Sequence, residues 1–351
     1  MPATPHIAAI GTAVPAHDIH ADFVAWAHGR LPAREARLFA RMATRAGIAH
    51  RWSVLPAAHG SPVGPEGFYA AEPHPGTAAR MTIYAEAAPK LALAAIARLR
   101  EQVSLDGITH LVVASCTGFV APGIDQILAR ELDLAGNVER TLVGFMGCYA
   151  AVAALRTARH IVRSEPEARV LVVTVELSTL HLQADRALEP LLAMLQFGDG
   201  AAAALVCAAP AGLAIGRPFS AALPGSAAAI RWDITDRGFA MHLSGEVPGR
   251  IGTALRDPAL VTAITGGHSA DRWAVHAGGR SILDAVEGAL ALPDEALADS
   301  RAVLAANGNM SSATLMFVLA RILAGPRVAH GVALAFGPGL AAEGFSFASA
   351  A

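Results

Sequence analysis

Charge is scarce in this chain: of 351 residues only 16% are charged, and the formal net charge is −2. Such a balance gives no general electrostatic reason to bind nucleic acid or an anionic surface. Cysteine is scarcer. Three in the whole sequence, an odd count with no Cys-x-x-Cys pair, argue against a disulfide framework and a structural zinc site. Any cysteine chemistry is then expected to be thiol chemistry. Long apolar runs are missing too. Hydrophobic residues make up 54% of the chain, yet Gly, Pro and charge interrupt them well short of a membrane-spanning length. The stretch from Met1 to Ala16 has no basic region followed by a long apolar one, so no secretion signal is read and a soluble, cytoplasmic protein is expected.

What is present is a rhythm. Short β-rich runs alternate with helical patterns: His6 to Ile10, His110 to Ala114, Thr141 to Phe145, Val170 to Val175 and Ala201 to Val206. After the Pro/Gly-bearing stretch Ala209 to Pro218 the rhythm resumes, with Arg272 to Val275, Arg301 to Ala305 and Val328 to Phe336 read as strands. This is an α/β pattern. A boundary near residue 210 divides it into halves 1–210 and 211–351. In both, a strand enters a small-residue turn and then a helix, which hints at a duplicated architecture without a residue-level repeat.

The strongest local feature is Val143-Gly144-Phe145-Met146-Gly147-Cys148-Tyr149-Ala150-Ala151, a strand running into a tight turn with cysteine at the mouth of a helix. Helix amides there favour a thiolate, and Gly144 and Gly147 are expected to let the backbone approach an acyl group. An arbitrary cysteine is more often buried structure; the turn reverses that reading for Cys148. Cys207, at the end of an apolar strand, reads as core, and Cys116, just past another strand, as a pocket residue. Only one of the 14 histidines stands in a comparable place: His276 ends a strand and precedes Ala277-Gly278-Gly279-Arg280. Asn309, in Asn307-Gly308-Asn309-Met310-Ser311-Ser312, is read as lying between strand Arg301 to Ala305 and helix Ala313 to Ala324. Alone it would be a turn or capping residue.

Cys, His and Asn in that order permit two chemistries. A papain-like cysteine protease runs the same order, but the signature around its cysteine is absent here. In carbon–carbon bond formation, His and Asn donate hydrogen bonds to a thioester oxygen and stabilise the enolate left by decarboxylation of a malonyl thioester. That chemistry needs no metal and no redox cofactor.

These residues resemble those of the type III polyketide synthases, the chalcone and stilbene synthase superfamily, in its bacterial branch. The resemblance runs through Gly144 to Ala150, Phe197-Gly198-Asp199-Gly200-Ala201-Ala202, Trp273 to His276 with Gly278-Gly279 and Ile282-Leu283-Asp284, Gly308 to Ala313, and Phe336-Gly337-Pro338-Gly339-Leu340. It implies a thiolase-like αβαβα fold, duplicated within the chain, and a homodimer using CoA thioesters, with malonyl-CoA as extender and no acyl carrier protein. By position, Cys148 is the implied acyl-bearing nucleophile. His276 and Asn309 would stabilise decarboxylation and the attacked thioester, and His276 would hold Cys148 as a thiolate.

The resemblance also places Phe197 at the junction of CoA tunnel and cavity, Met241 where plant members carry a second gatekeeping phenylalanine, and Arg41 and Arg45 near the tunnel mouth. Cys116 and Thr117 replace a threonine–serine pair, Ser178 and His181 replace two threonines, and Ser311 belongs to the same pocket. Trp232 stands where a glycine lines the plant cavity, so a shortened or redirected cavity is expected. Phe119 to Gly123 resembles the segment shaping the dimer-side wall, and Ala335 replaces a motif glycine. The reaction implied is repeated condensation of malonyl-CoA onto an acyl-CoA starter, fatty acyl by first choice, with release as an alkylpyrone or alkylresorcinol. Alternatives are a malonyl-CoA-primed tetrahydroxynaphthalene-type synthase, a ketoacyl-ACP synthase of the initiating type, a hydrolase, and a noncatalytic binding protein.

Overall fold

A computed structural model describes residues 3–55 and 61–351. Its main sheet is built from β1 His6–Ala13, β2 His110–Ser115, β3 Glu139–Gly144, β4 Val170–Leu177, β5 Asp199–Cys207, β6 Leu213–Ala222, then, past a separate hairpin of β7 Ile230–Thr235 and β8 Gly238–Leu243, β9 Arg272–Val275, β10 Gly331–Gly337 and β11 Ala341–Ser349. Among the helices are α1 Ala33–Arg45, α2 Thr77–Arg100, α3 Ala150–Ser164, α4 Arg280–Ala289, α5 Ala298–Asn307 and α6 Ser312–Leu323.

The strand order is β9-β10-β11-β6-β1-β5-β4-β2-β3. Outward from its centre, each half repeats one pattern. β1 pairs antiparallel with β5, which pairs antiparallel with β4, which leads to β2 and β3 running parallel to one another. β6 pairs antiparallel with β11, β11 antiparallel with β10, and β10 parallel with β9. Within the sheet the two halves pair at His6 with Ala214 and Ile7 with Leu213. This is the duplicated, thiolase-like α/β fold.

The second half lacks a counterpart of β3, and here one expectation fails. Arg301 to Ala305 is not a strand but the middle of α5. The run Arg-Ala-Val-Leu-Ala is too short for periodicity to tell a strand from a buried helix segment. Its helix ends at Asn307, followed by Gly308 at φ 67°. Asn309 therefore follows a helix rather than a strand.

Burial explains the layers. Every residue of β4, Val-Leu-Val-Val-Thr-Val-Glu-Leu, is buried, as suits a strand covered on both faces. Val170 and Val172 pack into a central layer with Ala151, Leu155, Leu315 and Leu319 of α3 and α6, while Leu171, Val173 and Val175 face an outer core with Ala92, Ile96 and Leu99 of α2. The same two central helices also meet Ala333, Phe345 and Phe347 of the second half. Their N-terminal ends carry Cys148 and Asn309. No described helix is long and apolar enough to cross a membrane.

Candidate active site

Cys148 lies in the single 3₁₀ turn Gly147–Tyr149 that opens α3. The chain reaches it through two positive-φ residues, Phe145 at 56° and Gly147 at 69°. Glycine is needed at 147 for a second reason: a Cβ there would lie 2.5 Å from Pro338 Cδ. At Gly144 a Cβ would meet nothing closer than Phe119 at 3.9 Å, so protein packing alone does not require glycine there. Cys148 is half-buried. Burial pushes its thiol up to about 11; hydrogen bonds from Ser311 and Asn309 oppose that rise, and the Glu176 carboxylate adds to it.

His276 follows β9, 2% exposed, its backbone N–H donating to the Leu334 carbonyl at 2.8 Å. Neither ring nitrogen has a hydrogen-bond partner among the described residues. Burial lowers its pKa to about 3, so at neutral pH the ring is uncharged and burial opposes its protonation. The expected thiolate at Cys148 is thus not the form favoured by burial alone. It requires His276 to accept the proton, so that thiolate and imidazolium offset each other in the dry site.

Asn309 is the best-oriented member. Its Oδ1 accepts from the Ser311 N–H at 2.8 Å and lies 3.5 Å from the Thr314 hydroxyl, which fixes the amide's orientation. Nδ2 donates to the Gly278 carbonyl at 3.2 Å, leaving its second hydrogen for the Cys148 sulfur. Backbone bonds to Gln196 and Gly198 bridge Asn309 to Phe197, so the candidate amide and gate move as one piece. Ser311 has φ 48°, a strained value for a non-glycine residue.

Cys148, His276 and Asn309 line one cavity of about 60 Å³ with Cys116, Phe197, Trp232, Met241, Ser311 and Pro338. Trp232 and Met241 are directly opposed across the β7–β8 hairpin. With Phe197 they also face a second, larger chamber of about 230 Å³. They form a partition. The sequence-predicted pocket residues divide around it: Cys116 and Ser311 fall on the cysteine side, Ser178 and His181 on the far side, and Thr117 in neither. Thr117 is buried, its hydroxyl donating to Glu176 at 2.9 Å. His181 is held from both nitrogens, Nδ1 accepting from the Phe239 N–H at 3.0 Å and Nε2 donating to the Thr117 carbonyl at 2.6 Å. Burial lowers its pKa to about 3; it is a neutral brace stacked on Phe239.

The tunnel expectation also divides. Arg45 lines a groove of about 540 Å³ with Met42, Leu243, Gly278, Arg280 and Ile282; Leu243, Gly278 and Ile282 line the cysteine cavity as well. Arg41 faces a separate surface depression. Arg280, at the start of α4, was not singled out from the sequence, although its place directly after Gly278-Gly279 was a usable signal. Glu176 was missed too. It is fully buried, accepts from the Cys116 and Thr117 side chains and from Ser312, and burial raises it to about 7. A carboxylate inside an otherwise apolar strand was its signal. Cys207 is buried, as expected for core. Ala335 sits in regular β10, opposite Glu343. Phe119 packs against Phe145 and Phe239 at centroid distances of 5.7 and 6.0 Å.

Two half-sheets enclosing a Cys, His and Asn cavity between central helices define a thiolase-like protein. The description "chalcone and stilbene synthases, N-terminal domain" matches residues 3–210, and its C-terminal counterpart matches residues 218–351. The chain belongs to the chalcone and stilbene synthase family, the type III polyketide synthases. It is 34% identical over 251 residues to Pks18 of Mycobacterium tuberculosis, described as an alpha-pyrone synthesis polyketide synthase-like protein, across 68% of this chain and 64% of that relative. The match thus spans less than two thirds of Pks18. Bisdemethoxycurcumin synthase of Oryza sativa subsp. japonica is 36% identical over 295 residues, 77% of this chain and 73% of its own. Among solved structures, the C-terminal type III polyketide synthase domain of Steely1, a type I/III hybrid from Dictyostelium, superposes with TM-score 0.90 at 25% identity, covering 99% of this chain and 100% of that one. PKS-I from the brown alga Ectocarpus siliculosus gives 0.86 at 28% identity, with 99% of each chain covered.

Proposed function

We propose that this chain catalyses decarboxylative condensation of malonyl-CoA onto an acyl-CoA starter held as a thioester on Cys148. The observation that carries this reading is the convergence of Cys148, His276 and Asn309 on one cavity, with both His276 nitrogens unpartnered and the Asn309 amide directed at the Cys148 sulfur. The Cys148 sulfur attacks the starter thioester carbonyl and CoA leaves as its thiol. Malonyl-CoA then loses carbon dioxide, and the electron pair of the broken bond passes to the thioester oxygen as an enolate. Donors from the N–H of the neutral His276 ring and from Asn309 Nδ2 stabilise that charge. The enolate carbon attacks the Cys148 thioester, and the cysteine sulfur departs for the next round. Arg45 and Arg280 flank the groove by which a CoA thioester would enter, placing cations where its phosphates would lie.

A fatty acyl starter is favoured because the chamber beyond the partition is lined largely by apolar side chains, among them Phe23, Leu55, Val63, Leu182 and Met194. Release by cyclisation would give an alkylpyrone or alkylresorcinol. We take the enzyme to be cytoplasmic and homodimeric; exposed Phe119 and Leu142, 47% and 48% accessible and near the open edge strand β3, support a partner on that face. A panel of starter CoAs with labelled malonyl-CoA, no carrier protein and mass analysis of products tests the reading. Pyrones or resorcinols from long-chain starters are expected. Free acids alone would indicate a hydrolase, products from malonyl-CoA alone a tetrahydroxynaphthalene-type synthase, and no polyketide without a carrier a ketoacyl-ACP synthase.

A further inference from the structure

Gln196 stands where the groove meets the Cys148 cavity, and neither the turn nor the gate around it uses its side chain. It lies between the helix Leu188–Met194 and β5, directly before Phe197, and its carbonyl accepts from the Asn309 N–H at 2.7 Å. Its side chain lines the groove with Arg45 and Arg280 but not the cysteine cavity. Gly278 lines both, and a Cβ on the next residue, Gly279, would lie 3.1 Å from Gln196 Oε1. The backbone of Gln196 thus touches the turn that carries Asn309, and its amide lies against the turn that follows His276.

That amide is poorly satisfied. Oε1 is buried and has no hydrogen-bond partner among the described residues, and Nε2 makes a long bond to the Leu192 carbonyl at 3.4 Å. Buried amide oxygens are nearly always paired, and a primary amide can donate twice and accept twice. Around it the groove is apolar, with Leu192, Leu195, Leu243, Val247 and Ile282. The other uncharged polar side chains there are Ser244, whose hydroxyl already accepts from the Glu246 N–H at 3.2 Å, and Ser281. The last torsion of glutamine is soft, so Oε1 can turn into the groove at small cost.

We propose that Gln196 binds the pantetheine amide nearest the thioester, for starter and extender alike. A CoA arm carries secondary amides, and each must find partners for its N–H and C=O on leaving water for an apolar groove. Between phosphates at Arg45 and Arg280 and a thioester at Cys148, the arm passes Gln196. Oε1 accepts the amide N–H, and Nε2 donates to its C=O. Because Gln196 is bonded to Asn309 and adjoins Phe197, this contact fixes how far past the gate the thioester carbonyl reaches. A hydrogen bond placed so discriminates strongly against a substrate that lacks the group.

The inference rests on Cys148 being the acyl acceptor, so its test varies only the thiol that delivers the acyl group. The full chain and Gln196→Leu receive octanoyl groups from CoA, from N-acetylcysteamine, which keeps the amide nearest the thioester and lacks every phosphate, or from pentanethiol, in which methylenes replace that amide. Acylation of Cys148 is followed by mass spectrometry, and KM and kcat for malonyl-CoA by product formation. In the variant the half-saturating concentrations of the CoA and N-acetylcysteamine thioesters, and KM for malonyl-CoA, should rise about tenfold. Acylation by the S-pentyl thioester should stay within about twofold, and kcat within about threefold. An equal loss with the S-pentyl thioester, a loss confined to CoA, a fall in kcat at unchanged KM, or no loss with any donor each overturns the proposal. Gln196→Met, close to glutamine in shape, decides the same outcomes should the leucine variant fail to fold. Failure of octanoyl-CoA to acylate Cys148 in the wild type overturns the proposed function as well, whereas normal acylation without an effect at Gln196 overturns this inference alone.

Discussion

Two cysteines lie beyond adjacent parallel strands, Cys116 after β2 and Cys148 after β3, where Ser115 pairs with Gly144. Both line the same cavity, and Ser311 hydrogen-bonds with both. Their surroundings differ. Cys116 is 4% exposed; its thiol lies 3.3 Å from both Glu176 oxygens, and burial beside that carboxylate pushes it well above the ordinary thiol range. Cys148 keeps accessible surface, sits at the amide end of a helix fifteen residues long, and has Asn309 as well as Ser311 to oppose the rise. Position at a strand end is therefore not what singles out a nucleophile. Helix amides, an open face and a neutral histidine able to take the proton do so together.

The sharpest way to break this comparison is to remove each sulfur. Cys148→Ala is expected to abolish the acyl-enzyme and lower condensation by at least about 10³-fold. Intact-mass analysis after exposure to starter CoA checks it; persistence of the acyl adduct would move the nucleophile elsewhere. Next in size, Asn309→Ala should lower both malonyl-CoA decarboxylation and condensation by about 10²–10³-fold, because an oriented donor is lost. Acylation of Cys148 by the starter should suffer less. An equal loss in both half-reactions would mean that Asn309 merely holds the turn.

His276 sets the protonation state on which the comparison turns. Burial holds the Cys148 thiol up to about 11 beside an uncharged His276. His276→Ala should therefore slow alkylation of Cys148 by iodoacetamide at pH 7 by at least about tenfold, the loss of one pKa unit of thiolate stabilisation or more. In the variant the rate should keep rising with pH toward about 11. The wild-type rate should level off at lower pH. Identical pH profiles would show that His276 does not charge the thiol.

Trp232 governs capacity rather than chemistry. Trp232→Gly is expected to join the two chambers and shift the preference between long and short starters by about tenfold, within the range that a few methylenes in an apolar pocket supply. Ratios of kcat/KM across a starter series check this. An unchanged ratio with lower overall rate would mean that the partition is only a brace.

The chemistry was more legible in the sequence than the space around it. Cys148 and His276 were found because a strand, a glycine turn and a helix start leave a local pattern, and that pattern survives folding. Asn309 was found despite a wrong neighbour: Arg301 to Ala305 is the middle of a helix, yet Gly308 still forces the turn that presents the amide. The partition was not legible, since the pairing of Trp232 with Met241 depends on hairpin register and its meeting with Phe197 on tertiary packing. Nor was the division of the pocket residues. Ser178 and Cys116 both suggest polar contact with substrate, but they lie on opposite sides of that partition. Sequence spacing carries no information about a wall formed by residues far away in the chain.

The smallest effect is the most discriminating. Cys116→Ser keeps a hydroxyl able to donate to Glu176 and to meet Ser311, so starter acylation should stay within about threefold of wild type, below about 1 kcal/mol. Cys116→Ala removes the donor and should destabilise the fold by about 1–3 kcal/mol, because a buried carboxylate loses a partner. Thermal unfolding of the two variants separates these outcomes. If Cys116→Ser acylates as slowly as Cys148→Ala, the two sulfurs act in one step and the distinction between them fails. If Cys116→Ser acylates normally but fails only in later condensations, Cys116 belongs to the handling of the growing chain, and the shared Ser311 hydroxyl is the link between the two cysteines.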